Sequence, residues 1–392
     1  MRVLFVGINI EYSNPSKALM LPLLKGAFET DFYGLGFVSS EQLEKGILNF
    51  EEANGPYDLI VWDNYISFFH EKRKFSEILI KHLLKGLNNL SFETKLVPSF
   101  IDDLYDNLRS ISSKVIHSFL QTDLYHFEED FTDYLSQTGH YYMVCGGEVP
   151  VLKEKNPNLL KEGFHERAKD HWHYFCQEHA GRLIPLPHWI AESEFSWTPL
   201  SDRKFVATVP GTGYYRREVA ANFLKTSKEK QPSYLIPKLI QFWNRQFFSR
   251  FNLNDPLMQI RNSSFMNSIS NTKYAYTEGS YLDLSVRKFF EIPALGTLLM
   301  CSPSIAYEDL GFKDTINSIV VEPEEFVDAI KDLENDPLRA QNIADKGRQL
   351  VFDKHSLKAR CSDLGMVFES IQCGRYYGAD WRNGTLKINS KT

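Results

Sequence analysis

At 392 residues the chain exceeds the roughly 250–300 at which a single core usually splits, so two domains are expected. Its 43% hydrophobic and 24% charged residues exclude a disordered or fibrous protein. A net charge of −6 excludes a nucleic-acid binder built on a general basic field, so any ligand phosphate must be met by a few placed cations.

The first half shows short apolar runs separated by helical or polar stretches. Strands are expected over residues 2–8, 57–62, 95–100, 141–145 and 182–186, with helices between them, for example over 77–87 and 123–135. Strands that alternate with helices imply a parallel sheet covered on both faces. The proline-rich stretch from Pro185, running to about Lys204, is the expected domain boundary. A second alternating unit follows, with strands over 205–209, 273–277, 297–301 and 318–321. Its helices are expected from about Arg217 and over 284–295, 323–333 and 337–352. The polar stretch 380–392 is expected to fray. The five cysteines are scattered, odd in number and without a C-x-x-C pair, which fits a reducing compartment. No stretch approaches the ~18 apolar residues of a membrane span, and the start at Met1 is not a signal peptide. A cytoplasmic protein is expected.

Ligands of doubly wound sheets bind beyond the carboxyl ends of strands, which directs attention to the loops there. The most informative stretch runs from Glu278 to Thr297. A helix starting near Leu284 would offer its free amide groups to a diphosphate. Asp283 and Glu291 lie eight positions apart. At ~1.5 Å per residue that is roughly 12 Å of helix, a span that suits one acid toward sugar hydroxyls and the other toward ribose. A helix-terminal charge plus a solvated glutamate is the alternative, and these residues alone do not decide between them. A second candidate is Pro210-Gly211-Thr212-Gly213-Tyr214-Tyr215-Arg216-Arg217. Glycines after a strand let backbone approach a ligand, and an arginine takes two phosphate oxygens at once. An ordinary strand–helix turn with solvated arginines is the alternative. Lys273 and Arg287 are further phosphate candidates.

The run Arg287-Lys288-Phe289-Phe290-Glu291-Ile292-Pro293-Ala294-Leu295-Gly296-Thr297 resembles the R-x-F-E-I-P-A-x-G-T donor-site signature of GT-B glycosyltransferases. It is similar to the group-1 branch that includes spore-maturation-type proteins, with one extra residue after the arginine. Asn335-Asp336-Pro337, Asp345-Lys346-Gly347 and His355-Ser356 recur in that branch in the same order, and Gly211, Tyr214 and Arg217 match its G-x-x-Y-x-x-R turn. The resemblance covers roughly 205–364. It implies an α/β GT-B fold, two Rossmann-like doubly wound domains facing across a cleft. These are an acceptor domain (1–187), a nucleotide-sugar donor domain (188–364) and a tail (365–392) that packs back on the first domain. It further implies that Glu291 binds ribose and that Asp283 stands at the first acid of an E-x7-E pattern. Gly296 and Thr297 would form the turn behind the donor, with Gly211, Thr212, Gly213, Tyr214 and Arg217 around its diphosphate.

Inverting transfer also needs a base facing the donor. Glu11 and Asp63, after the first and second expected strands, are the candidates, ahead of Asp102 and Asp103. Each could equally be a helix cap or loop acid. The group His165, His171, His173 and His179 is read as solvated or partly buried helix histidines, because His171 and His173 cannot share a helical face. No cofactor or metal is expected. The substrates implied are a UDP- or GDP-linked sugar and a glycan or small hydroxyl acceptor, with no nucleic acid and at most peripheral membrane contact. The rival readings are a sugar-nucleotide 2-epimerase and a binding protein without turnover. Gly7-Ile8-Asn9 lacks the glycine spacing of a nicotinamide-dependent dehydrogenase.

Overall fold

The structure is a computed structural model that describes residues 1–9, 19–63, 96–107, 114–120, 129–147, 171–211, 213, 215–240, 256–280 and 283–390. Its first sheet contains β1 (Arg2–Val6), β2 (Glu29–Tyr33), β3 (Leu59–Trp62), β4 (Lys114–Leu120), β5 (Tyr141–Cys145) and β6 (Leu183–Leu186). All pairings are parallel, in the order β2-β1-β3-β4-β5-β6. The sequence explains the centre of this sheet: β1 (RVLFV) and β3 (LIVW) are near-continuous apolar runs, as strands covered on both faces require. The order reverses between β1 and β3, which makes their carboxyl ends a topological switch point. Gly7 and Asp63 lie there, and a Cβ on Gly7 would sit 3.1 Å from that of Asp63.

Two strands of this sheet depart from expectation. Residues 95–100, read as a strand, instead belong largely to a helix, Leu96–Asn107, in which Phe100, Ile101 and Leu104 are buried at helical spacing. A short apolar run does not by itself distinguish the two. The strand that pairs with β3 is β4 (KVIHSFL), masked in the sequence by the buried polar pair His117 and Ser118. His117 Nε2 lies 2.9 Å from His140 Nδ1, and burial followed by that neighbour drives its pKa well below the ordinary range. β2 (ETDFY) carries too little apolar signal to be read alone. The expected helix 77–87 lies outside the described residues, and 123–135 is represented by Glu129–Ser136.

The second sheet is β7 (Phe205–Thr208), β8 (Thr272–Thr277), β9 (Leu298–Cys301) and β10 (Ile319–Val320), parallel and in the order β10-β9-β8-β7. Around it stand α1 (Tyr215–Thr226), α2 (Pro256–Ser270), α3 (Lys288–Ala294), α4 (Phe326–Asn335) and α5 (Pro337–His355), and α6 (Leu357–Gln372) then leaves it. Local chemistry sets these boundaries. Asp336 caps α5 by accepting from Arg339 N at 3.0 Å, with Pro337 at its first position, and Ser356 caps α6 by accepting from Ala359 N at 3.2 Å.

α6 crosses back to the first unit. Phe368 stacks on Phe28 at 4.7 Å, and Lys114 Nζ donates to the terminal carbonyls of Ile371 (2.6 Å) and Gln372 (2.8 Å). Residues expected to fray form a hairpin instead, β11 (Tyr376–Arg382) and β12 (Thr385–Ser390). It docks on β6: Tyr376 Oη donates to Leu183 O at 2.5 Å and Trp381 Nε1 to Pro185 O at 3.2 Å.

Where α5, α6 and the hairpin meet, fully buried Arg360 lies 4.4 Å from the Trp381 ring centre, donates to Asp363 at 2.8 Å and donates to His355 Nδ1 at 2.9 Å. His355 Nδ1 is therefore the acceptor, and Nε2–H donates to Leu310 O at 2.8 Å. Burial first, then Arg360, holds His355 down at about 3, although the Leu310 carbonyl pulls the other way. A histidine depressed in the folded state is protonated first in the unfolded chain, so its stabilisation is complete above pH ~6.5 and is lost as pH falls toward 3. Wild type is expected to lose about 2 kcal/mol more stability than His355→Gln between pH 7 and pH 5, measured by urea unfolding. Parallel losses in the two proteins would refute the assignment.

Candidate functional site

The carboxyl ends of the two sheets approach each other through the linker at His188. Its ring lies 3.0 Å from where a Cβ of Gly146, just past β5, would stand, and meets Phe290 of α3 edge-on at 6.3 Å. Burial first, then the charge of Arg287, holds His188 at about 3, so it is a neutral imidazole near pH 7. One residue on, the Trp189 carbonyl accepts from Arg287 Nη1 at 2.7 Å.

Arg287 begins the central cluster. Nη2 donates to Glu194 of the linker at 2.5 Å, and Nε donates to Glu291 Oε1 at 2.7 Å. All three guanidinium nitrogens are thus engaged, Nη1 and Nη2 with the interdomain linker and Nε with Glu291 of α3. Arg287, a phosphate candidate in the sequence, has these protein partners in the structure. The second carboxylate oxygen of Glu291 accepts from Lys288 Nζ. Burial alone would raise the Glu291 carboxyl, but Lys288 and Arg287 outweigh it and hold it at about 2. Glu291 is therefore a buried, fully ionised acceptor facing two cations. Lys288 itself is pushed down by burial and pulled back up by Glu291, with a net lowering.

Lys288 connects this cluster to the glycine turn. A Cβ on Gly211 (φ +101) would lie 3.1 Å from Arg217 Nη1 and 3.4 Å from Lys288 Cε, so both cationic side chains flank the same backbone. Arg217 is buried and anchored at the end of β8: its backbone N donates to Glu278 Oε1 at 2.9 Å, and Nη2 to the Glu278 carbonyl at 3.2 Å. Burial, against the pull of Arg217, raises the Glu278 carboxyl. Gly213 packs against Glu218, while Thr212 and Tyr214 lie outside the described residues.

Other expectations are redistributed. The helix expected from Leu284 begins only at Lys288: Asp283 takes a left-handed backbone (φ 52), with its N donating back to Ser280 O at 2.9 Å. Asp283 and Glu291 therefore do not share one helix. Lys273 points away: it sits near the amino end of β8 and pairs with Glu334 at 2.8 Å. Asp63 is at the switch point of the first sheet, Glu11 lies outside the described residues, and Asp102 and Asp103 belong to the helix Leu96–Asn107. His173 is buried in the helix His171–Glu178, and His179 is bonded to Ser136 and Arg182. Among the described residues, no three or more His, Cys, Asp or Glu converge as a metal site. An open hollow of about 790 Å³ between Phe205, Gln259, Ser263 and Asn271 lies at the amino ends of β7 and β8. That is the edge opposite the ion cluster.

Sequence reasoning missed Lys288, Glu278 and Glu194. The spacing of Lys288 to Glu291, three apart on a helix, was a usable signal. Glu194 had none, since only the fold brings it to Arg287.

Residues 217–364 match the family model described as Glycosyl transferase-like, which spans the α1-to-α6 part of the second unit and contains Arg217, Glu278, Lys288 and Glu291. No curated protein matches. Among solved structures, Anabaena Alr3699/HepE in complex with UDP and glucose is 10% identical at a TM-score of 0.49, covering 94% of this chain and 100% of that one. Sucrose-phosphate synthase from Thermosynechococcus elongatus is 10% identical at 0.49 over 95% and 100%. A glycosyltransferase from Rickettsia africae is 11% identical at 0.47 over 94% and 98%. Residues 217–364 are thus similar to the glycosyl transferase-like family. The two parallel α/β units and the returning α6 make up a GT-B architecture.

Gly296 (φ +68) illustrates a matched motif residue with a packing task. A Cβ there would come within 2.7 Å of Arg203 Nη2, which donates to the Leu295 carbonyl at 3.0 Å. The variant Gly296→Ala is expected to lose at least about 1 kcal/mol of stability from the positive φ alone, read from the urea midpoint. An unchanged midpoint would contradict this placement.

Proposed function

We propose that this protein transfers a glycosyl group from a nucleoside diphosphate sugar, with UDP or GDP as the leaving nucleotide, to a hydroxyl of a glycan or small acceptor. One observation carries the reading: within the family-matched segment, an ionised and buried Glu291 stands beside Lys288, which together with Arg217 flanks the Gly211 turn. A carboxylate held in this way accepts hydrogen bonds from a ribose diol, and cations beside open backbone meet the diphosphate. In transfer, the bond between the anomeric carbon and the diphosphate oxygen breaks, and the negative charge that develops on the leaving group falls where Arg217 and Lys288 can stabilise it. Asp283, on the loop before α3, is assigned to the sugar hydroxyls. The acceptor is assigned to the first unit, near the β1/β3 switch point. Asp63 there, and Glu11, are the carboxylates proposed to take the acceptor proton if configuration is inverted. No helix among the described residues is long and apolar enough to cross a membrane, and all five cysteines are free, which fits the cytoplasm.

Isothermal titration with UDP, GDP, ADP, CDP and dTDP tests the donor. A nucleoside diphosphate is expected to bind wild type, and Glu291→Gln is expected to weaken it about 10- to 100-fold, the loss of one or two charged hydrogen bonds. Unchanged affinity in that variant would remove Glu291 from the ribose role. Incubation of the nucleotide sugar without acceptor separates transfer from epimerisation, because an epimerised donor would favour the rival reading.

A further inference from the structure

Both oxygens of Glu291 are held in the structure, Oε1 by Arg287 and Oε2 by Lys288. Each oxygen keeps a second lone pair, but the side chain is only 4% exposed under the two cations, so a ribose diol reaches this carboxylate once one of them moves aside. Arg287 is the poor candidate, since its other two nitrogens hold Trp189 and Glu194 and its side chain is 8% exposed. Lys288 has a flexible stem, is 17% exposed, and lies with its Cε against the open face of Gly211, beside Arg217. We infer that Lys288 exchanges partners during donor binding, leaving Glu291 Oε2 to the ribose hydroxyls and moving to the diphosphate over Gly211.

Charge balance supports the exchange. An ammonium this buried cannot give up its carboxylate without another anion, and a diphosphate supplies one. Glu291 meanwhile keeps Arg287, so its carboxylate stays ionised and able to accept from ribose. The pair thus acts as a filter. A nucleoside lacking phosphates has to compete with Lys288 for Glu291, whereas a nucleoside diphosphate draws Lys288 away itself. The ring of Phe265, 4.7 Å from Lys288 Nζ, flanks the lysine in the first arrangement.

This inference rests on the nucleotide-sugar reading, and the test separates the two. The nucleoside diphosphate that wild type binds, and the corresponding free nucleoside, are titrated into wild type, Lys288→Met and Lys288→Arg. Lys288→Met is expected to weaken the diphosphate about 10- to 100-fold while nucleoside affinity stays level or rises, and Lys288→Arg is expected to recover most of the loss. In wild type alone, added pyrophosphate is expected to tighten nucleoside binding severalfold, and nucleoside to tighten pyrophosphate equally. Equal loss of nucleoside and diphosphate in Lys288→Met would mean that the lysine only buttresses Glu291, and would overturn the exchange. Unchanged diphosphate affinity, or pyrophosphate without effect on the nucleoside, would overturn it as well. Wild type that binds none of the five nucleoside diphosphates would instead overturn the functional reading beneath it.

Discussion

A carboxylate removed from water must be given counter-charges, and around Glu291 that requirement organises the middle of the molecule. Arg287 meets it from the preceding turn of α3, but a guanidinium so buried also needs partners for its remaining nitrogens. Those come from Trp189 and Glu194, on the segment that joins the two units. The electrostatic demand of one side chain thereby fixes α3 against the linker. Since α3 also carries Phe290, which touches His188, the same demand sets where the first sheet's edge meets the second unit.

The second tie between the units is covalent in origin and apolar in substance. α6 leaves the second unit and covers the first through the Phe28–Phe368 stack, and the hairpin after it closes on β6. One buried cluster accordingly contains Val3, Leu23 and Ile184 of the first unit together with Phe290, Leu364 and Trp381. The chain passes between the units at the linker and at the α5–α6 junction. There Ile190 and Ser356 bridge, with Ile190 N donating to His355 O and Leu357 N to Ile190 O. The ion cluster and this crossing lie close along the linker, a few residues apart, so nucleotide chemistry and domain geometry share one set of supports.

Much of the second unit was legible in the residues. Its strands and its last two long helices carry strong periodicity and clear caps, such as Asp336 and Pro337. Gly211, Arg217 and Glu291 stand out in sequence because their types suit phosphate and ribose; the fold sets Arg217 beside Gly211 and links Glu291 to that turn through Lys288. The first unit was legible only in its central strands. β4 was hidden by His117 and Ser118, whose contacts with His140 and Cys145 no local pattern announces, and the stretch before it read as strand because a short apolar run fits either period. The cations were the least legible part of the site. Arg287, Lys288 and Lys273 look alike in sequence, yet one clamps the linker, one faces the glycine turn and one pairs with Glu334 at the far end of its strand.

What the amino-acid order determined by itself is therefore local: which segments extend, which coil, where a helix is capped, and that a glycine turn and a carboxylate–cation run follow strands. These depend on neighbours within a few positions, through backbone sterics and side-chain periodicity. Only the tertiary structure decided which charges meet. Electrostatic pairing depends on distance and on exclusion of water, and the partners of Arg287 lie up to 98 positions away. Burial turned Glu291 from one acidic residue among many into an ionised acceptor held at about 2, because only the folded chain brings its cations to it and keeps water out.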